Sequence, residues 1–250
     1  MMSLLMAPAA GQGPITLSAH PGDVVRVEGT ALVFGKSWNG LIGVDLAVKP
    51  GAYPVTIKAG SVGSKSVTTV LTVLPKQFPV RRLQVPPDFV TPPAGALEQI
   101  AADNKKTAAI FARVGPRRWT GPFKLPVDGR PTSNFGTRSY FNGQPRSPHS
   151  GIDFLSASGT PIRAANDGIV VLAESLYFTG NTVIVDYGDG LYSLFAHLSE
   201  FRVHDGEVVK PDTIVGLVGA TGRVTGPHLH WAVKLQGARI DPASLVAATE

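Results

Sequence analysis

The stretch HLHWAVKL, residues 228–235, alternates large apolar residues with histidine, alanine and lysine. Alternation with a period of two predicts a β-strand that buries one face. Four similar runs precede it, at residues 168–173, 182–187, 191–197 and 213–218. Turn sequences such as GDG and HDG separate these runs, and no long amphipathic helix interrupts them. The pattern predicts an antiparallel sheet joined by hairpins.

The composition agrees with a mainly β fold. Glycine (28) and proline (21) together form about a fifth of the 250 residues, and only 16% of the residues are charged. These values argue against a helical bundle or a coiled coil and favour a turn-rich β protein. The chain has no cysteine, which excludes a disulfide scaffold, a thiolate zinc finger and a cysteine nucleophile.

The two histidines of the strand, His228 and His230, are two residues apart. On a strand such residues point to the same face, with Cα atoms about 7 Å apart. This distance suits a pair in which one imidazole binds a metal ion and the other faces a water held by that ion. It is also compatible with both imidazoles binding the metal.

A second pair, His149 and Asp153, lies four residues apart. In a straight strand their Cα atoms are roughly 13 Å apart, too far for two ligands that bind zinc at about 2 Å. If both bind one metal, the chain must bend between them, and we expect Gly151 to permit that bend. Two histidines and one aspartate with an open fourth position are typical of catalytic zinc sites.

Four sequence blocks surround these residues in a fixed order: SNFGTR at 133–138, PHSGIDF at 148–154, FAHL at 195–198 and GPHLHW at 226–231. Together they resemble the LytM/lysostaphin-type zinc metallopeptidases, the peptidoglycan endopeptidases of metallopeptidase family twenty-three. The resemblance extends over about residues 122–242. It implies a zinc endopeptidase that cuts stem peptides or cross-bridges of peptidoglycan.

The resemblance also implies roles for individual residues. The zinc ligands, for one Zn²⁺ per chain, are His149, Asp153 and His230. The two catalytic histidines are His197 and His228. The pattern leaves open which of them is the base and which stabilises the oxyanion. A competing hypothesis is a non-catalytic LytM-like module that binds the wall or activates a partner amidase.

Two further residues are candidates for substrate contact. Asn181 matches a position that lies beside the substrate groove in this family, although an asparagine after Gly180 also suits a hairpin turn. Tyr140 precedes His149 on a predicted loop and is placed to polarise the substrate. We predict peptidoglycan as the partner of the chain and no nucleic acid, since no basic motif with interleaved aromatic residues is present.

The N-terminal part divides into two predicted regions. Residues 12–75 contain short strand-like runs, including 24–27 and 32–34, separated by proline and glycine turns, and predict a small β-sandwich that resembles immunoglobulin-like modules. Residues 76–120 predict a basic linker with one helix. From Lys76 to Pro148 the chain has twelve basic and four acidic residues, a net charge of +8. We favour a solvated linker over a binding site for an anionic polymer. Residues 121–250 are the predicted peptidase domain.

Residues 1–11, MMSLLMAPAAG, combine a short apolar patch with an A-x-A pattern. They resemble the end of a secretory signal peptide without its basic first part, or a disordered start. No apolar run reaches the roughly 18 residues of a membrane helix. We therefore expect a periplasmic or secreted protein with no integral membrane segment.

Overall fold

The computed structural model describes residues 16–29, 38–58, 66–87, 90–132 and 134–250. It is mainly β, as the sequence predicts. The predicted signal-peptide remnant and the strand at 32–34 lie outside the described residues. No helix in the described ranges is long and apolar enough to cross a membrane.

Five strands between residues 16 and 73 form two small sheets. Their strands are β1 (Thr16–Ala19), β2 (Val24–Gly29), β3 (Trp38–Gly43), β4 (Gly51–Lys58) and β5 (Ser66–Val73). One sheet has the order β1-β5-β4 and the other pairs β2 with β3. Buried residues Leu17, Leu71 and Val73 pack with half-buried Val25 and Ile42 of the second sheet. The two sheets therefore share one apolar layer, as in the predicted sandwich, and the immunoglobulin-like likeness stays a prediction.

The predicted linker contains both a strand and a helix. β6 (Val80–Leu83) pairs in parallel with β7 (Arg138–Phe141), which also pairs with β8 (Gln144–Pro145). Helix α1 (Leu97–Phe111) follows a short 3-10 turn at Ala94–Ala96. Residues 80–83 are therefore part of a sheet, although all four are exposed.

A nine-stranded sheet forms the C-terminal half. Its strands are β9 (Gly151–Phe154), β10 (Pro161–Arg163), β11 (Gly168–Leu176), β12 (Gly180–Asp186), β13 (Leu191–Phe201), β14 (Val208–Val209), β15 (Ile214–Val218), β16 (Leu229–Leu235) and β17 (Ala238–Ile240). The main order is β10-β15-β13-β12-β11-β14, and β16 pairs with β13, β9 and β17. Every one of these pairings is antiparallel, as predicted. Helix α2 (Pro242–Thr249) ends the chain.

The two faces of the large sheet have different partners. Leu229, Trp231 and the other apolar residues of β16 lie in the main core with 0–3% exposure. His230, Ala232 and Lys234 point to the opposite face. Helix α1 covers part of that face, where Ile110 packs with Leu172, Ile184 and Tyr192 of the sheet. The helix leaves the part of the face around His230 open.

The N-terminal sheets pack against the end of the chain. Val24 and Leu46 belong to the main core of the large sheet. Asp45 accepts two hydrogen bonds from the guanidinium of Arg239, at 2.7 and 3.0 Å, and one from its backbone N–H. Residues far apart in the chain thus form one connected interior.

Candidate functional site

Three of the predicted site residues meet at one point. His149 Nε2 lies 3.1 Å from Asp153 Oδ1 and 3.0 Å from His230 Nδ1, and the last two atoms are 2.8 Å apart. Each side chain is 14–19% exposed, so the cluster is shielded but open on one side. This is a group of residues that is able to hold a metal ion.

Sheet register places two members of the cluster opposite each other. His230 on β16 pairs directly with Asp153 on β9, so their side chains emerge on the same face. His149 lies two residues before β9, where its backbone N–H donates to the carbonyl of Thr137 at 3.0 Å. The chain therefore turns before the strand begins, and this turn brings His149 back over Asp153.

Gly151 has a different role from the one that the sequence predicted. Its backbone is not in the left-handed region, so it does not provide a bend of that kind. A Cβ added at this position would lie 2.4 Å from the carbonyl oxygen of Trp231 and 2.8 Å from Cε1 of His230. Glycine is needed because β16 and the imidazole of His230 approach the backbone closely.

The protonation of the cluster favours a cation. His149 Nδ1 lies 3.2 Å from the carbonyl of Asn134, and a carbonyl only accepts, so Nδ1 donates and Nε2 keeps its lone pair. Burial raises the pKa of Asp153, but the ring nitrogens of His149 and His230, 3.1 and 2.8 Å from Oδ1, outweigh it and hold that pKa below its ordinary value. Burial lowers the pKa of His230, against the pull of Asp153. The carboxylate of Asp153 and Nε2 of His149 thus converge toward one point beside His230.

The donor set fits zinc. Tetrahedral zinc with bonds of about 2.0–2.2 Å requires ligand atoms roughly 3.3–3.5 Å apart. The three separations of 2.8–3.1 Å are 0.2–0.5 Å shorter than the lower end of that range. Two imidazoles and one carboxylate leave a fourth position open, as in catalytic rather than structural zinc sites.

His197 lies beside the cluster at a break in the sheet ladder. Strand β13 pairs with β16 up to Ala196 and with β15 from Leu198 onward. Between these two partners His197 adopts φ of +67°, in the left-handed region that non-glycine residues seldom occupy. Its backbone N–H donates to the carbonyl of Thr179 at 2.8 Å, which holds this strained conformation. The imidazole thus leaves the strand toward the cluster.

The two histidines outside the cluster present the same free atom. Their ring centroids are 4.8 Å apart. His197 Nδ1 donates to the carbonyl of Thr221 and His228 Nδ1 to the carbonyl of Gly226, both at 2.9 Å. In each neutral ring Nε2 is therefore the unprotonated nitrogen. Burial lowers the pKa of His197 to about 4, helped by the nearby imidazole of His230.

All five residues border one groove with a volume of about 560 Å³. One wall, the β6–β7 wall, is formed by Arg81, Leu83, Val85 and Phe141. A second, the loop wall, is formed by Phe178, Thr179 and residues 223–227. The groove is large enough to receive an extended peptide segment.

The two predicted substrate residues do not line this groove. Asn181 is the second residue of β12, and its backbone N–H donates to Thr221 Oγ1 at 2.9 Å. Tyr140 lies on β7 next to Phe141 but on the opposite face, where Arg82 covers its ring at 5.1 Å. The structure thus brings the five histidine and aspartate residues together and leaves Asn181 and Tyr140 outside the group.

Sequence reasoning missed several groove residues. Arg81 and Leu83 lie in the predicted linker, and their place depends on the pairing of β6 with a strand 58 residues away. Phe178 and Arg223 lie in hairpin connections without a motif of their own. Only the position of residues 223–227, just before the histidine pair, pointed to the site.

The histidine cluster lies in the part of the chain that is similar to known proteins. The family model of peptidase family M23 matches residues 147–242. The DD-carboxypeptidase/endopeptidase Mpg of Neisseria meningitidis serogroup B is 39% identical over 101 residues, which are 40% of this chain and 23% of Mpg. The peptidoglycan DD-endopeptidase ShyA of Vibrio cholerae is 38% identical over 117 residues, which are 46% of this chain and 27% of ShyA. The chain therefore spans about a quarter of the length of these curated relatives.

One solved structure resembles nearly the whole chain. It comes from Pseudomonas aeruginosa, is described as a candidate M23 peptidase and is 31% identical, with a TM-score of 0.69. The likeness covers 95% of this chain and 96% of the other, so it includes the N-terminal sheets as well as the large sheet. Together, the family match around the histidine cluster and this full-length likeness show that the chain belongs to peptidase family M23.

Proposed function

We propose that the chain is a zinc-dependent endopeptidase that hydrolyses peptide bonds in the stem peptides or cross-bridges of peptidoglycan. The observation that carries this proposal is the meeting of three metal-binding side chains with two imidazoles that each offer a free Nε2. Two relatives support the choice of substrate: Mpg is named as an endopeptidase, and ShyA as a peptidoglycan endopeptidase. Action on peptidoglycan places the protein in the cell envelope, periplasmic or secreted.

In this proposal His149, Asp153 and His230 hold the zinc ion. Zinc bound there supplies Lewis acidity, which polarises a peptide carbonyl and makes a bound water acidic near pH 7. Asp153 contributes the one negative charge of the ligand set and stays ionised. The hydrogen bond from His149 Nδ1 to Asn134 fixes the ring so that Nε2 faces Asp153 and His230, where it would be a ligand.

His197 and His228 serve as the catalytic pair. With both Nδ1 atoms committed to backbone carbonyls, proton exchange occurs at Nε2. One imidazole takes the proton of the attacking water at Nε2 and delivers it to the leaving amine. The other, when it is protonated at Nε2 as the imidazolium, donates a hydrogen bond to the oxyanion. The carbonyls of Thr221 and Gly226 keep both rings oriented and stabilise whichever ring becomes protonated.

The organisation of the rest of the chain is part of the proposal. We assign residues 12–75 to a β module, residues 76–120 to a connecting segment and residues 121–250 to the peptidase domain. The separate apolar layer of the first two sheets supports this division. The module positions the peptidase domain, against which Val24 and Leu46 pack.

The test is digestion of purified peptidoglycan sacculi, with the released peptides identified by mass. The wild type is expected to release uncross-linked peptides, to stop when a chelator is added and to recover with zinc. His230→Ala is expected to release none, and His204→Ala, at a surface histidine with an 82% exposed side chain, to behave as the wild type. Zinc binding without any release would favour a non-catalytic wall-binding or amidase-activating module instead.

A further inference from the structure

The loop wall of the groove carries a guanidinium group held in a fixed orientation. Arg223 follows β15, and its backbone N–H donates to the carbonyl of Phe178 at 3.0 Å. Its guanidinium lies over the ring of the same Phe178, 4.5 Å from the centroid. Its Nη1 is shut off from solvent and has no hydrogen-bond partner in the described part of the chain. The group is thus oriented by stacking, and its Nη1 lacks an acceptor among the described residues.

The β6–β7 wall carries a second guanidinium. Arg81 donates to Ser139 Oγ at the long distance of 3.4 Å. A third, that of Arg146, donates to the carbonyl of Val90 at 2.9 Å and lies near enough to repel Arg223. Burial and this repulsion lower the pKa of Arg223.

None of these three arginines forms an ion pair with a carboxylate within the ranges that the structure describes. Among the described residues that line the groove, the one acidic side chain is Asp153, which is committed to the histidine cluster. Because Arg146 repels Arg223 and no carboxylate compensates for it in the described ranges, an anion bound at Arg223 relieves that repulsion. A planar guanidinium matches a carboxylate best, since it donates two parallel hydrogen bonds.

We propose that Arg223, assisted by Arg81 of the β6–β7 wall, binds a substrate carboxylate next to the scissile amide and so determines which cross-link is cut. This inference rests on the proposed endopeptidase function. In a D-alanyl–diaminopimelate cross-link, the carbon that bears the scissile nitrogen also bears a carboxylate. A bond inside a glycine bridge has no such group. The site therefore selects the diaminopimelate type of cross-link over the glycine type.

The test uses the zinc-loaded full chain and one cross-linked peptide in two forms. In one form the diaminopimelate carboxylate next to the scissile amide is free, and in the other it is a carboxamide. We expect wild-type kcat/KM to favour the free carboxylate by roughly tenfold to a hundredfold, the range of a charged hydrogen bond, with most of the difference in KM. The variants are Arg223→Gln, Arg223→Lys and Arg81→Gln. The matched control is Arg202→Gln, an exposed arginine paired with Glu200 outside the groove.

Arg223→Gln is expected to bring the preference close to one, because kcat/KM falls much more with the free-carboxylate form than with the carboxamide form. Arg223→Lys should retain part of the preference, and Arg81→Gln should reduce it less than Arg223→Gln does. A purely structural role for Arg223 would lower the rates with both forms equally, and that result overturns the inference. Equal wild-type rates on the two forms also overturn it, while leaving the endopeptidase function intact. If the wild type hydrolyses neither form, the endopeptidase function itself is contradicted.

Discussion

Gly151→Ala tests whether the close approach of two strands shapes the metal site. The added methyl group would lie 2.4 Å from the carbonyl oxygen of Trp231 and 2.8–3.0 Å from two ring atoms of His230. The first neighbour is backbone in the middle of β16 and has little freedom to move away. The second is a proposed zinc ligand, so relief of the overlap displaces the ligand itself.

The size of the effect follows from these distances. Bringing the Trp231 contact from 2.4 Å to a tolerable 3.0 Å requires a shift of about 0.6 Å between β9 and β16. Overpacking of this kind costs about 1–3 kcal/mol of stability. Loss of a residue that supports a metal ligand lowers metal affinity by roughly 10–100-fold. We expect a loss of the same size when the His230 ring is displaced.

The measurements are thermal unfolding of the metal-free chain and zinc affinity by competition with a chelator of known strength. Gly40→Ala is the matched control, because Gly40 also lies in a strand and has no atom within 4 Å of an added Cβ. We expect Gly151→Ala to lose both stability and zinc affinity relative to that control. If Gly151→Ala binds zinc as tightly as Gly40→Ala, the proposed link between strand packing and the metal site is refuted.

Three further predictions concern proton transfer, acid stability and the helix on the sheet. His197→Ala and His228→Ala should each keep one zinc per chain and lower kcat by about 10²-fold or more, as metal analysis and peptide hydrolysis will test. Burial raises the pKa of Asp45, but hydrogen bonds from Arg239 outweigh this and lower the pKa to about 2. Asp45→Asn should therefore lower the free energy of unfolding by about 1 kcal/mol at pH 7, a value that allows for solvent screening. Because the folded pKa is the lower one, that difference should fade as pH drops from about 4 toward 2 in urea unfolding. Ile110→Ala should cost about 2–4 kcal/mol by emptying the buried contact between helix α1 and the sheet, and unchanged urea unfolding would contradict that packing.

Local patterns were sufficient for β13 and β16, the strands that carry His197 and His230. The alternation in residues 228–235 predicted both the strand and the burial of Trp231, which has 0% exposure. Period-two alternation records which face is buried, and that information is complete within one strand.

Those patterns did not reveal which strands pair with each other. The sequence required a bend near Gly151 but did not reveal that β16 is the partner strand, which explains the glycine. The left-handed conformation of His197 depends on a change of partner strands along β13. Arg81 faces the groove because β6 pairs with β7, and a solvated linker was the prediction for that segment.

Short elements escaped prediction for a different reason. Strands of two or three residues, such as β14 and β17, contain too few positions to show a period. Helix α2 had a readable start, since Asp241 accepts a hydrogen bond from the N–H of Ala243 and Pro242 is the first helical residue. Its eight residues gave no clear amphipathic pattern beyond that start.

The most direct test of the account is a zinc titration of the metal-free chain, followed by hydrolysis of a cross-linked peptide at each step. If His149, Asp153 and His230 hold a single catalytic zinc, activity will rise linearly to one equivalent and then stop rising. His204→Ala should follow the same line, and His230→Ala should stay without activity at every step. Wild-type activity in the metal-free chain, or normal activity of His230→Ala, would contradict the account.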